Sequence, residues 1–238
     1  MTMVLIPAGE FLMGSPDKPT PEELVKAYGG DAGWYRSERP QHRVRLTAPL
    51  WLGKFEVTQQ QWESVMGANP SLTGGPRNPV EQVSWDDCQA FAARLGEKAG
   101  GAFFLPTEAQ WEYACRAGTA TQHYFGDEKG ELADYAWFRG NSGKQTHAAG
   151  SKKPNPLGLH DMLGNVWEWC RDRFGDYEAV PLANPEGPPR GDNRVLRGGS
   201  AGSDAADCRS ACRHYKSPAF RRQEYGFRIA AAVRAVPR

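Results

Sequence analysis

Cys208 and Cys212 stand with three residues between them near the end of the chain, in "RGGSAGSDAADCRSACRHYKSPAFRRQEYGFR" from Arg197 to Arg228. Two thiols this close in a polar, irregular stretch are placed to meet a soft metal or a substrate. The remaining cysteines read differently. Cys88 and Cys115 fall on apolar stripes of expected helices, where a small buried thiol is the ordinary occupant, and Cys170 follows "GNVWEW" as a structural residue. A second constellation is "LHDMLGNVWEWCRD", in which Asp161 and Glu168 lie seven positions apart across a Gly-Asn turn. Their carboxylates can converge with the carbonyls of Gly164 and Val166 on a hard cation such as calcium. The competing reading is a tight turn stapled by Trp167 and Trp169, with both carboxylates solvated or paired to arginine. There is no Ser-His-Asp order, phosphate loop or His-rich zinc pattern. His42, His123, His147 and His160 are scattered and read as hydrogen-bonded structural or surface residues.

Composition bounds what these groups serve. The 238 residues suffice for one large core or two small ones, and 39% hydrophobic with 24% charged residues describes a globular protein. A formal net charge of +1 gives no electrostatic case for nucleic acid or an anionic membrane. The start "MTMVLIPAGEFLMGS" has no basic leader and no long apolar run, so it reads as neither a signal peptide nor a membrane span. With five cysteines, an odd number, the default is reduced thiols in the cytoplasm. The 27 Gly and 18 Pro predict short elements joined by many turns, with the eight Trp filling the core.

"MVLIPAGEFLMG" reads as two short strands joined by a turn at Ala8-Gly9, and "HRVRLTAPLWLGKFEVT" as further short strands broken at Pro49 and Gly53. Between them, Ser15 to Gln41 is polar and rich in Pro, Gly and charge, a long surface excursion. Three helices have legible starts. Thr58 caps "QQQWESVMG", Ser84 caps "WDDCQAFAARLGEKAG", and Thr107 with Gln110 forms a capping box on "EAQWEYACRAG", which Gly118 ends. No regular strand-helix alternation appears, which predicts one irregular α+β domain over residues 1–238 rather than a doubly wound sheet.

In order, "MVLIPAGEFLMGS", "ERPQHRVRL", "KFEVTQQQW", "PVEQVSWDDCQAFAARL", "LPTEAQWEYACRAGT", "GLHDMLGNVWEW" and "RVLRGGS...CRSACR...GFRIAA" resemble the sulfatase-modifying-factor family, that of the formylglycine-generating enzyme. The resemblance implies a single loop-rich domain of the C-type lectin kind. It also implies, for the catalytic members, oxidation of a substrate cysteine on Cu(I) held by two cysteines with four residues between them. Cys212 matches the second of those thiols, while counting back reaches Asp207, because Cys208 is displaced by one residue. Under the enzyme reading Cys208 and Cys212 hold copper, Ser200 lies at the site, and a cysteine-bearing, sulfatase-like peptide is oxidised. Asp161, Gly164, Val166 and Glu168 match the family's calcium ligands.

The final stretch also resembles the variable proteins of diversity-generating retroelements, which use the same lectin-like domain. That resemblance divides residues 201–225 into a fixed frame and interspersed displayed positions. The frame is Arg197 to Ser200, Cys208 to Ala211, Arg213, Ser217 to Ala219, Arg221 and Tyr225 to Arg228. The displayed positions are Gly202, Ser203, Asp204, Asp207, Cys212, His214, Tyr215, Lys216, Phe220, Arg222, Gln223 and Glu224. Their side chains follow no helical or strand period and are chemically unlike, as a binding surface requires, with Tyr215, Phe220 and Arg222 as the expected anchors. The implied function is non-catalytic binding of a protein or other ligand; copper-dependent formylglycine generation is the alternative.

Overall fold

The structure, a computed structural model, describes residues 1–233. Eleven strands and six α-helices follow in chain order: β1 Met3–Ile6, β2 Gly9–Met13, α1 Pro21–Tyr28, α2 Ala32–Arg36, β3 His42–Leu46, β4 Leu50–Gly53, α3 Gln59–Met66, α4 Trp85–Ala99, β5 Phe103–Phe104, α5 Glu108–Arg116, α6 Leu132–Tyr135, β6 Trp167–Arg173, β7 Leu182–Ala183, β8 Arg194–Arg197, β9 Arg213–Lys216, β10 Tyr225–Gly226 and β11 Ala230–Ala232. The strands form three small sheets, ordered β1-β4-β11-β5, β10-β6-β8-β9 and β2-β3-β7. This is the expected irregular α+β architecture.

The two N-terminal strands form where expected but do not pair with each other. β1 runs antiparallel to β4, and β2 antiparallel to β3, so the turn between them passes from one sheet to another. Local turn residues report a change of direction; which strand lies alongside is decided by distant side-chain burial.

Each expected helix starts at its cap. Thr58, Ser84 and Thr107 all close capping boxes, with Gln61, Asp87 and Gln110 reaching back to the cap. α5 ends one residue early, on Ala117 in the left-handed region. At Ser84 the hydroxyl accepts from the Asp87 N–H (3.1 Å) and donates to the Asp87 carboxylate (2.7 Å). Ser84→Ala is therefore expected to lower stability by about 1 kcal/mol, read as a shift in the urea midpoint without a change in slope.

Rings fill the interior as composition implied. Trp62 stacks on Phe91 at 5.4 Å, and Phe227 meets Phe91 edge-on at 5.3 Å. Trp111 and Trp169 are completely buried in separate apolar clusters. Cys88, Cys115 and Cys170 are also buried, as read. A ring nitrogen of each of His42, His123, His147 and His160 bonds a backbone carbonyl, in line with structural roles.

The Ser15 to Gln41 excursion is more ordered than its composition suggested. It holds α1 and α2, both capped by side chains, and buries Leu24, Tyr35 and Glu38. Among the described residues no helix is long and apolar enough to cross a membrane.

Candidate binding surface

The sheet β10-β6-β8-β9 carries the C-terminal segment. Residues 198–212 form the loop from β8 to β9, and 217–224 the loop from β9 to β10. Among the described residues β9 pairs only with β8 and so forms one margin of this sheet; the second loop is largely exposed, the first largely buried.

Four buried arginines hold the segment and its flanks to the rest of the fold. Arg197 meets Glu112 and also donates to the carbonyls of Ala211 (2.8 Å) and Ser210 (3.1 Å). Arg209 grips Glu38 through both terminal nitrogens (2.9 and 2.5 Å). Arg213 binds Glu108 (2.7 and 2.9 Å), and Arg228 binds Glu168 (2.6 Å twice). An unpaired charge in the interior costs several kcal/mol, so Arg209, Arg213 and Arg228 each fix their backbone to a two-pronged carboxylate, while Arg197 meets Glu112 through one nitrogen and holds the loop through its carbonyls. Burial works to raise the Glu38 carboxyl, and the Arg209 guanidinium outweighs it, leaving the group below its ordinary value.

Burial follows the sequence division in part: among the positions expected to be displayed, Ser203 and Cys212 are buried. Arg197 to Ser200, Cys208 to Ala211, Arg213 and Tyr225 to Arg228 are all buried. Ser217 to Ala219 and Arg221 are frame positions that instead reach the surface. They are tied to the first turn of α4: Trp85 N–H donates to Pro218 O (2.9 Å), and Arg221 forms a fork with Asp87 (2.7 and 2.8 Å).

Between the loops lies an open hollow of about 600 Å³. Gly202, Ser203, Asp207 and Cys212 line it from the first loop; His214, Tyr215 and Lys216 from β9; Arg222 and Glu224 from the second loop. Tyr215 is 44% exposed and lies against Phe174 at 4.2 Å between ring centres. Arg222 pairs with Glu224 at 2.9 Å. The structure does not bring Asp204, Phe220 or Gln223 into the lining. Asp204 is outside, held by Arg139 at 2.8 Å; Phe220 is exposed beside Tyr225 at 5.9 Å; Gln223 is exposed. Of the expected anchors, therefore, Phe220 stands beside the hollow rather than in it.

Several lining residues had no signal in the final segment: Gly33, Trp34 and Ser37 from the excursion, Arg139, Trp167 and Phe174. Only their distance in sequence hid them, since Arg213 Nη1 reaches back to Ser37 O at 2.8 Å.

The electrostatics of the hollow follow from burial. Asp207 is pushed up to about 6 by burial and by the Asp204 charge, against the pull of Arg209. His214 is pushed down to about 4 by burial and by Lys216 and Arg222, so its imidazole is neutral at pH 7. Ser200 is buried beneath the first loop, its hydroxyl 3.0 Å from that of Ser203.

The two thiols face different surroundings. Cys208 packs into the apolar cluster around Trp111 and Met162, whereas Cys212 joins the one around Trp169 and Phe227. Burial pushes both thiols up, Cys208 well above its ordinary value, with Asp207 adding to the effect. Cu(I) needs two convergent thiolates. Both thiols are buried in apolar clusters, Cys208 in one and Cys212 in the other, and both are held protonated, so the pair does not fit that ion.

The calcium positions fit their ion in part. Asp161 Oδ2 accepts from Gly150 N–H (2.6 Å), while its buried Oδ1 has no hydrogen-bond partner, an atom that a cation would satisfy. Glu168, by contrast, spends both oxygens on Arg228, and Oε2 also accepts from Trp111 Nε1 (2.8 Å). That is the arginine-paired turn weighed against a cation. Among the described residues no three His, Cys, Asp or Glu side chains gather as a metal group.

Comparison with known families places this architecture. The sulfatase-modifying factor enzyme 1-like domain matches residues 1–233. The chain belongs to that family. A formylglycine-generating enzyme of Streptomyces coelicolor is 38% identical over 200 residues, covering 77% of this chain and 61% of that protein. The serine/threonine-protein kinase pkn1 of Chlamydia pneumoniae is 38% identical over 261 residues, covering 97% of this chain and 38% of that protein. The chain thus spans only part of the length of these relatives. Among solved structures, Treponema denticola variable protein 1 superposes with a TM-score of 0.86 at 30% identity, covering 97% of this chain and 95% of that one. PvdO from Pseudomonas aeruginosa gives 0.84 at 28% identity, covering 97% and 94%. Both resemblances read from the motifs, to the sulfatase-modifying-factor family and to a variable protein, are met by these matches.

Proposed function

We propose that this sulfatase-modifying-factor domain is a non-catalytic binder, which displays the interspersed residues of 201–225 to a protein or other ligand as variable proteins of diversity-generating retroelements do. The observation that carries this is the coincidence of two independent divisions. Most frame positions are buried, four of their arginines in ion pairs, while Gly202, Ser203, Asp207, Cys212, His214, Tyr215, Lys216, Arg222 and Glu224 line one open hollow. Exposed side chains there, such as Tyr215, can change without touching the charge pairs beneath them, whereas Cys212 sits in the core and a side chain at Gly202 would meet Glu224. The fold match to variable protein 1 supports the same reading.

Formylglycine generation is the second reading, favoured by the Streptomyces relative and opposed by the direction of Cys208. Titration with Cu(I) separates the two. The binder gives no tight stoichiometric copper complex; tight binding that disappears in Cys212→Ser would overturn it in favour of the oxidase. Absence of a reverse transcriptase and of a near-copy of residues 201–225 beside the coding sequence would remove the retroelement part alone. Calcium enters this reading as a structural ion held by Asp161 Oδ1 and the carbonyls of Gly164 and Val166, bracing the turn that precedes β6. Removing it with a chelator would then lower the melting temperature.

A further inference from the structure

We propose that Trp34 is a fixed wall of this binding surface, and that the occupant is a protein partner that inserts an aromatic or aliphatic side chain into the hollow shared by Trp34 and the Tyr215–Phe174 pair. The inference rests on the displayed-surface reading above and adds to it a contact outside the displayed positions.

Trp34 is 58% exposed although its neighbour Tyr35 is 1% exposed, so α2 buries one ring and offers the next to solvent. The backbone that carries the offered ring is fixed from several sides. Asp31 caps α2 by accepting from Gly33 N–H (2.6 Å), Ser37 Oγ donates to Trp34 O (2.6 Å), and Tyr35 OH donates to Gly29 O (2.8 Å). Just beyond the helix, Ser37 O accepts from Arg213 and Glu38 locks onto Arg209, so the wall is tied to the displayed segment. The indole also lies against Gly30, whose φ is +84° and where an added Cβ would stand 3.3 Å from the ring. A large ring ordered in advance contributes area at little entropic cost on binding.

The charges around the hollow select the kind of occupant. Its arginines are each matched within the protein: Arg139 with Asp204, Arg213 with Glu108, Arg222 with Glu224. The remaining charged lining residues, Lys216 and Asp207, are opposite in sign, so strong net charge is not what the surface reads, whereas Trp34, Tyr215 and Phe174 offer ring faces around it. Tryptophan, tyrosine and arginine at the centre of a mixed surface are the residue types that dominate protein–protein affinity. Because Trp34 lies outside the displayed positions, its contribution persists whichever side chains those positions carry.

The test randomises the displayed positions other than Gly202, Ser203 and Cys212 in a display library of the full chain and selects on egg-white lysozyme as the probe. Trp34→Ala and Trp34→Phe are then placed in each selected clone. We expect Trp34→Ala to weaken lysozyme binding at least about tenfold in most clones, and Trp34→Phe to restore most of it. The melting temperature should stay within about 3 °C, as for an exposed side chain. Affinities that remain within about twofold of the parent in most clones would overturn the role of Trp34 while leaving the displayed surface intact. A library from which no clone binds lysozyme would take down the displayed-surface reading, and this inference with it.

Discussion

Arg209→Ala is expected to cost about 3–5 kcal/mol of folding stability, although Arg209 lies in the very segment proposed to display changing side chains. The Arg209–Glu38 pair is buried at both ends, so the truncation strands a carboxylate in the interior. Tyr35, against which the guanidinium packs at 4.7 Å, also loses its cover. Two further results follow from the same cause. Without Arg209, burial acts on Glu38 against only the Ser15 hydroxyl and the more distant Arg197 and raises it, so the loss should be larger at pH 8 than at pH 5. Replacing both partners, Glu38→Gln with Arg209→Met, should recover much of the loss, because no charge is then left unmatched. Gln223→Ala, exposed in the second loop, serves as the control and should change stability by no more than about 0.5 kcal/mol. Chemical denaturation of the four proteins at both pH values checks the set. Equal losses at Arg209 and Gln223 would remove the division between frame and display.

The second large effect concerns Asp172, on β6 behind the same sheet. Burial and the Glu108 charge push its carboxyl up from 3.8 to about 8, although it accepts from the Glu108 N–H at 2.8 Å. The folded protein thus binds a proton that the unfolded chain releases near pH 4. Its contribution to stability is complete below that pH, declines as pH rises, and is lost once pH passes about 8. Asp172→Asn keeps an acceptor for the Glu108 amide and removes the titration. The variant should match the natural protein near pH 4 and exceed it by at least about 1 kcal/mol at pH 8.5, with the gap opening between the two. A gap that stays constant with pH would show that Asp172 does not hold the proton.

What could be read in the sequence was mostly local. Ser84, Thr58 and Thr107 announced their helices because a cap and its partner lie three residues apart. The buried frame was legible through the spacing of family motifs, which record where backbone must stay fixed. Pairing of β1 with β4 was not legible, since 45 residues of chain separate Leu5 from the Trp51 opposite it only in sequence and not in space. Glu38 and Trp34 were hidden for a related reason. Both sit in a polar stretch whose composition matches a solvated loop, and their importance comes from partners in the last sixth of the chain. The thiols illustrate the converse: spacing alone showed a slip of one residue, and only the fold showed that Cys208 and Cys212 are buried in different clusters.

The ion pairs that fasten the segment bridge long stretches of chain, 171 residues from Arg209 to Glu38 and 105 from Arg213 to Glu108. Such contacts form late, after the intervening polypeptide has collapsed, because each closes a large loop before it returns any stabilisation. The recognition surface is therefore among the last features to assemble. In the displayed-surface reading residues 201–225 are exchanged as a cassette within the whole chain, since as an isolated peptide they lack both the carboxylates and the tryptophan wall of the folded protein. A ligand that reads this surface would then meet only finished molecules, and partly folded copies would be silent.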